Sequence, residues 1–228
     1  MARTSAKPGA KTDAKTPRER YRTQVRTEVK ERAWEQIATA GASALSLNAI
    51  AKQMGMSGPA LYRYFASRDA LITELIRDAY RSLADTVRAA FTDGADLAGL
   101  AHVVRAWALV DPQRYFLIYG TPVPGYHAPE DITGISNEIM TTLLDASTAL
   151  APDSAASPFA AHLEDHRDWA AGHPAQGAAL HRALSFWTRM HGVLSLELSG
   201  HFSAMGFDPA LLFAAELDDL LDDLPAKP

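Results

Sequence analysis

The stretch Ser46–Phe65, SLNAIAKQMGMSGPALYRYF, constrains the fold of this chain more than any other. Behind Ser46, a residue type that caps helix N-termini, Leu47, Ile50, Ala51 and Met54 recur at helical spacing. Gly55 can take the left-handed backbone that ends a helix. Ser57 is placed to cap a second helix, with Pro59 early in it, where a missing N–H costs little. Two short helices around a glycine turn make a helix-turn-helix, the unit whose second helix enters the DNA major groove. Leu61 and Phe65 lie four apart and face a core, which leaves Tyr62, Arg63 and Tyr64 for the outer side. Arg63 suits paired hydrogen bonds to guanine or a phosphate contact, and tyrosine hydroxyls suit phosphate oxygens. Gly58 and Ala60 leave room for the backbone to approach a duplex. The competing reading of the same residues is an ordinary three-helix domain with half-buried tyrosines.

Charge favours the DNA reading. The formal net charge of -5 conceals an uneven distribution. Residues 1–68 hold 13 Lys+Arg against 5 Asp+Glu, a net +8, and residues 69–228 hold 9 against 22, a net -13. A basic head on an acidic body directs only the head toward a polyanion. Composition narrows the remaining classes. At 47% hydrophobic residues the chain can build a proper core. The absence of cysteine excludes disulfides, thiolate metal sites and thiol redox sensing. The basic start lacks the apolar region of a secretory signal, and no apolar run reaches the ~18 residues of a membrane helix. The expectation is a cytoplasmic protein with no membrane partner.

The other elements read as helices. Residues 1–15 are a flexible basic arm. Thr16-Pro17-Arg18-Glu19 is a capping box that opens a helix reaching Ala40. Its buried stripe is expected to be Val25, Val29, Ala33, Ile37 and Ala40, and Arg18, Arg22 and Arg26 are available to phosphates. Ser67 caps a long helix to about Phe91 that links the basic head to the acidic body. Helices follow over Asp96–Val110, from Asp111-Pro112 to about Tyr119, and over Glu130–Leu150, with the Pro-Gly loop 120–129 before the last of these. A loop is expected at Pro152–Pro158, then a weakly patterned helix over Phe159–Ala171. Leu180, Leu184, Trp187, His191, Leu194 and Leu198 repeat every three or four residues, as do Phe213, Leu217, Leu220 and Leu224. Such seams predict a four-helix homodimer interface through the last two helices, the alternative being packing inside one chain. The fold class is all-α. It comprises a flexible arm over 1–16, a three-helix helix-turn-helix domain over 17–66 and a helical ligand-binding and dimerisation domain over 67–228, about nine or ten helices in all.

Several combinations resemble a known family. Ala49-Ile50-Ala51, Gly55-Met56-Ser57, Leu61-Tyr62-Arg63-Tyr64-Phe65 and Ser67-Arg68-Asp69-Ala70-Leu71 together are similar to the N-terminal domain of the TetR family of one-component transcriptional repressors. Trp187, His191-Gly192, Glu197 and the loop YGTPVPGY (residues 119–126) resemble one class of TetR C-terminal domain, marked by a tryptophan and a His-Gly pair. The resemblance implies a repressor that leaves a palindromic double-stranded operator when a small-molecule effector binds. The DNA-binding residues are then expected among Arg22, Ser46, Ser57, Gly58, Ala60, Tyr62, Arg63, Tyr64 and Arg68. Arg68 stands where the family usually has a phosphate-contacting lysine, and Tyr64 where histidine is frequent. Trp107, Tyr115, Tyr119, Tyr126, Trp187, Met190 and His191 are the candidate effector-binding residues, with plain core packing as their alternative.

No cofactor or metal is expected. His162 and His166 lie four apart, but HLEDH lacks the glutamate placement of the HExxH zinc motif, so a solvated polar helix is the reading. There is no nucleophile elbow, P-loop or dinucleotide fingerprint, so catalysis is not expected. Two other classes stay open: a structural DNA-binding protein without sequence preference, and a helical enzyme.

Overall fold

A computed structural model describes residues 16–150 and 157–222. Among these residues the chain folds into ten α-helices and two 3₁₀ turns, with no strand. The basic arm 1–15, most of the loop expected at 152–158, and Leu224 lie outside the described residues. The described residues form two compact units, one ending at Leu71 and the other starting at Ile72.

The first unit holds α1 (Pro17–Ala40), a 3₁₀ turn (Ala42–Ala44), α2 (Leu47–Gln53), α3 (Gly58–Leu61) and the start of α4 (Arg68–Thr92). Thr16 and Glu19 form the expected capping box, because both can answer backbone N–H groups that the first turn leaves unpaired. Val25, Val29, Ala33 and Ile37 are buried, as the spacing required, while Ala40 is exposed because the helix ends there at Gly41. Ser46 caps α2 by accepting from Ala49 N–H, and Gly55 takes a φ of 64° just beyond it. Leu47, Ile50, Ala51, Leu61 and Phe65 close the core of this unit.

The second unit holds the rest of α4, then α5 (Leu97–Val110), α6 (Pro112–Tyr119), α7 (Glu130–Thr148), α8 (Pro158–Asp165), a 3₁₀ turn (Asp168–Ala170), α9 (Gly177–Leu198) and α10 (Pro209–Asp222). Asp96 and Asp111 cap α5 and α6 with their side chains. One core gathers Leu83, Leu100, Tyr115, Ile139, Leu143, Phe186, Met190, Leu194, Phe213 and Leu217, and a second gathers Leu144, Leu163, Leu180 and Ala183.

One expectation changes, and one apolar stripe finds its cover inside the chain. The helix expected over Phe159–Ala171 breaks after Asp165. There the Arg167 guanidinium donates to the carbonyls of His173 (2.6 Å) and Ala175 (2.7 Å), and Ala171 turns left-handed at φ 50°. Local tertiary hydrogen bonds thus override a weak periodic pattern. The α10 stripe Phe213, Leu217 and Leu220 is buried within this chain, packed in the same core as Phe186, Met190 and Leu194 of α9. Leu196 and Leu211 are the large apolar residues that α9 and α10 leave exposed. Among the described residues no helix is long and apolar enough to cross a membrane.

Candidate nucleic-acid interface and body cavity

The outer side of the first unit is built from two surfaces. Residues 16–24, the first two turns of α1, are exposed all round. They carry Arg18, Arg20 and Arg22, and Tyr21 stands beside them 63% exposed. The second surface is α3 and the turn after it. Tyr62 and Arg63 are exposed, Tyr64, Gly58 and Ala60 are half-buried, and Ser57 is exposed. Ser57 has the extended N-cap backbone but no side-chain capping bond, so its hydroxyl is not committed to the helix. The regular helix is one turn long. Beyond Leu61 it tightens, with Arg63 N–H donating to Ala60 and Tyr64 N–H to Leu61. Gly58 lies close to α2, where an added Cβ would meet Asn48 Oδ1 at 3.3 Å.

Three of the singled-out side chains are occupied within the unit. The Ser46 hydroxyl is used as the α2 cap, and its N–H donates to Gln36 Oε1 at 3.0 Å. Arg26 lies over the Phe65 ring, 4.3 Å from its centroid, and donates to the Tyr64 carbonyl. It fastens α1 to the end of α3. Arg68 donates from Nε to Leu45 O (3.2 Å) and from one terminal nitrogen to Ala42 O (2.9 Å) and Ser43 O (3.2 Å). Its planar fork ties the loop before α2 to the start of α4, a geometry that lysine cannot reproduce. Tyr21, and Lys52 exposed in the last turn of α2, complete the polar surface. No motif in the sequence singles them out.

In the second unit a cavity of about 290 Å³ lies between α4, the end of α6, the loop 120–128 and α7. Ile76, Leu117, Ile118, Val123 and Ile132 make its apolar wall, and Tyr80, Thr121, Tyr126, Thr133 and Ser136 carry hydroxyls. The loop is held in shape by its sequence. Pro124 and Gly125 occupy the middle of a tight turn in which Tyr126 N–H donates to Val123 O at 3.1 Å. Gly125 has a φ of 75°, the value a type II turn needs at its third position. Val123 is buried, and Tyr126 reaches across to donate to Thr73 Oγ1 at 3.2 Å. Beside the cavity residues of α4, Arg77 pairs with Asp131 and Glu74, and Arg81 and Arg88 pair with Glu138 and Asp85.

Of the seven residues expected around an effector, Tyr126 lines this cavity. Tyr115, Tyr119, Trp187 and His191 come together as one cluster of rings, with Tyr115 and His191 stacked and the other pairs tilted or edge-on. His191 lies 4.0 Å from Trp187, 4.5 Å from Tyr119 and 5.6 Å from Tyr115, centroid to centroid. Tyr80, on the cavity wall, meets Tyr119 edge-on at 5.9 Å. Met190 is buried in the core beside them, and Trp107 donates its indole N–H to Ser82. The Tyr115 hydroxyl sits 3.0 Å from His191 Nδ1. His191 Nε2 and the Tyr119 hydroxyl are buried without a hydrogen-bond partner among the described residues. Burial lowers the His191 pKa to about 4 and pushes Tyr115 up to about 12 against the hydrogen bond of Ser195. Burial also raises Tyr119 well above the ordinary phenol value, so the cluster is neutral near pH 7. Glu197 of the same helix accepts from Nε and Nη2 along one edge of the Arg105 guanidinium, at 3.1 and 2.5 Å.

Known proteins are similar to this chain over most of its length. Residues 31–75 match the bacterial regulatory proteins of the tetR family, and residues 97–220 match the tetracyclin repressor-like C-terminal domain. HTH-type transcriptional regulators of Mycobacterium bovis and Mycobacterium tuberculosis are each 39% identical over 197 residues, covering 79% of this chain and 84% of theirs. The crystal structure of SCO4313, described as a regulatory protein, is 71% identical with a TM-score of 0.85, over 91% of this chain and 100% of that one. A TetR-family regulator of Bordetella parapertussis shares the fold, with a TM-score of 0.55 at 18% identity, over 89% of this chain and 98% of that one. With both halves matched and the basic helix-turn-helix in place, the chain belongs to the TetR family of DNA-binding transcriptional regulators.

Proposed function

We propose that the protein is a homodimeric repressor, without catalytic activity, whose hold on a palindromic operator is relieved by a small molecule in the body cavity. The observation that carries this reading is the cavity, whose walls are α4, α7 and a loop fixed by a Pro-Gly turn. Tyr62, Arg63, Tyr64 and the backbone side of Gly58 and Ala60 meet the DNA grooves, and Ser57 and Arg22 meet phosphates. Ser46 and Arg68 act from behind, by shaping α2 and the loop before it. Two copies associate through α9 and α10, on which Leu196 and Leu211 are exposed. The ring cluster of Tyr115, Tyr119, Trp187 and His191 backs the effector face through Tyr80.

Release follows from differential affinity. An effector that fits the DNA-incompetent spacing of the two recognition helices better than the competent one shifts the population toward it. Helix α4 carries Ile76 and Tyr80 of the cavity wall and begins at Arg68, so a displacement of the wall passes along a continuous helix. A coupling of ~1–3 kcal/mol weakens operator binding about 5- to 150-fold. The test is a reporter driven by the promoter next to the gene. Deleting the protein should raise expression, and Thr133→Trp, which fills the cavity mouth, should hold expression low under conditions that release the wild type. Lower expression on deletion would make the protein an activator, and unchanged release in Thr133→Trp would place the effector elsewhere.

A further inference from the structure

Resting on the reading of this cavity as the effector site, we infer that its ligand is an uncharged small molecule with an apolar body and a hydroxyl or carbonyl group, held by Thr121 and Thr133. The wall offers aliphatic carbon and hydroxyls and no ionisable side chain other than tyrosine. The hydroxyls are not equivalent. Tyr126 is engaged by Thr73, and Tyr80 has Ser136 as its hydrogen-bonding neighbour. Thr121 and Thr133 make no side-chain hydrogen bond among the described residues and are exposed, one on the loop and one on α7. A hydroxyl both donates and accepts, so this pair can serve an alcohol, an amide or an ester carbonyl.

Charged ligands find nothing to pair with. An anion needs a cation or a set of N–H donors, and the nearest arginines in sequence, Arg77 and Arg81 on α4, are already matched to Asp131, Glu74, Glu138 and Asp85. Recruiting Arg77 would strip Asp131 of its partner, and recruiting Arg81 would leave Arg88 alone to answer Glu138 and Asp85. A cation would meet hydroxyls and the rings of Tyr80 and Tyr126 but no carboxylate, since those carboxylates are held by the arginines and do not line the wall. Burying an unpaired charge costs more than any apolar contact of a small ligand returns.

Three probes of one shape decide the matter: benzyl alcohol, benzoate and benzylammonium, titrated against the full chain near neutral pH by ligand-observed NMR. The expected result is that benzyl alcohol binds at least about tenfold more tightly than either ion, consistent with the cost of an unpaired charge. Thr133→Trp and Thr121→Trp, on exposed positions of the two walls, should each abolish that binding. Thr133→Arg should bring benzoate in. If benzoate or benzylammonium binds best and the tryptophan variants abolish it, the cavity is the site and the ligand class is wrong. If no probe binds, or binding survives both tryptophan variants, the cavity reading itself fails.

Discussion

Tyr62 and Arg63 are the exposed side chains of the recognition turn, and neither contributes to the buried core. Removing either should therefore leave the fold intact and weaken specific binding, by ~1–3 kcal/mol where a base contact is lost. Anisotropy titrations of Tyr62→Ala and Arg63→Ala with operator and unrelated DNA check this, and unchanged discrimination in both would displace the recognition surface. Arg68 is the opposite case. Its guanidinium answers three carbonyls of the loop before α2, so Arg68→Ala should destabilise the first unit by on the order of 2 kcal/mol. Hydrogen exchange would show this as lost protection in α2, before any DNA is added. His191 yields a pH prediction. Its pKa is about 4 folded against 6.5 unfolded, so the unfolded chain binds the proton first as pH falls. The stability from keeping His191 neutral is complete above about pH 6.5, is lost progressively toward pH 4 and changes no further below that. Between pH 7 and pH 5 the wild type should lose about 2 kcal/mol that His191→Gln does not lose, read from urea unfolding at both pH values.

At the scale of elements, α8 and α9 approach closely at Gly177. A Cβ on Gly177 would collide with the Ala160 carbonyl, and Gly177 N–H donates to Glu164 Oε1. Gly177→Ala should force the two helices apart and cost ~1–3 kcal/mol, as overpacking does, seen as a lower Tm with DNA contacts untouched. Nothing in the sequence marks that contact, because Gly177 and Ala160 lie on different helices and a glycine before a helix reads simply as a turn. The contrast with α1, α2, α5 and α6 is instructive. Their starts are legible because Thr16, Ser46, Asp96 and Asp111 act on N–H groups two or three residues ahead. Periodicity likewise marks which face of α10 is buried, yet it carries no information on the partner, and Phe213, Leu217 and Leu220 turn inward to α9 and α5. The cavity divides the same way. Tyr126 is legible through the Pro-Gly loop that carries it, whereas Ile76, Tyr80 and Ser136 join it from two helices far apart in sequence. The aromatic residues of α6 and α9 do assemble, but into a ring cluster that meets the wall only through Tyr80.

Across the whole molecule, charge and fold divide the labour in the same place. Residues 16–68, which fold as the helix-turn-helix and the helix before it, hold 9 Lys+Arg against 4 Asp+Glu, a net +5, whereas residues 69–228, which include the helical body, hold a net -13. The acidic body adds no attraction for a duplex, so affinity has to come from the few exposed cations of each head. Among the described residues these include Arg18, Arg20, Arg22, Lys52 and Arg63, since Arg26 and Arg68 are bound to backbone carbonyls. Each cation that meets a phosphate releases counterions, with a slope of about -0.9 per contact in log affinity against log salt. On the proposed arrangement of two heads on one palindrome, with two to four phosphate contacts from each, the slope should fall near -4 to -7. Arg22→Ala, present in both protomers, should make it shallower by about 2 while leaving the preference for operator over unrelated DNA unchanged. Arg63→Ala should reduce that preference as well. A slope near -2 for the wild type would mean that a single head engages DNA, and the symmetric arrangement of two recognition turns would have to be given up.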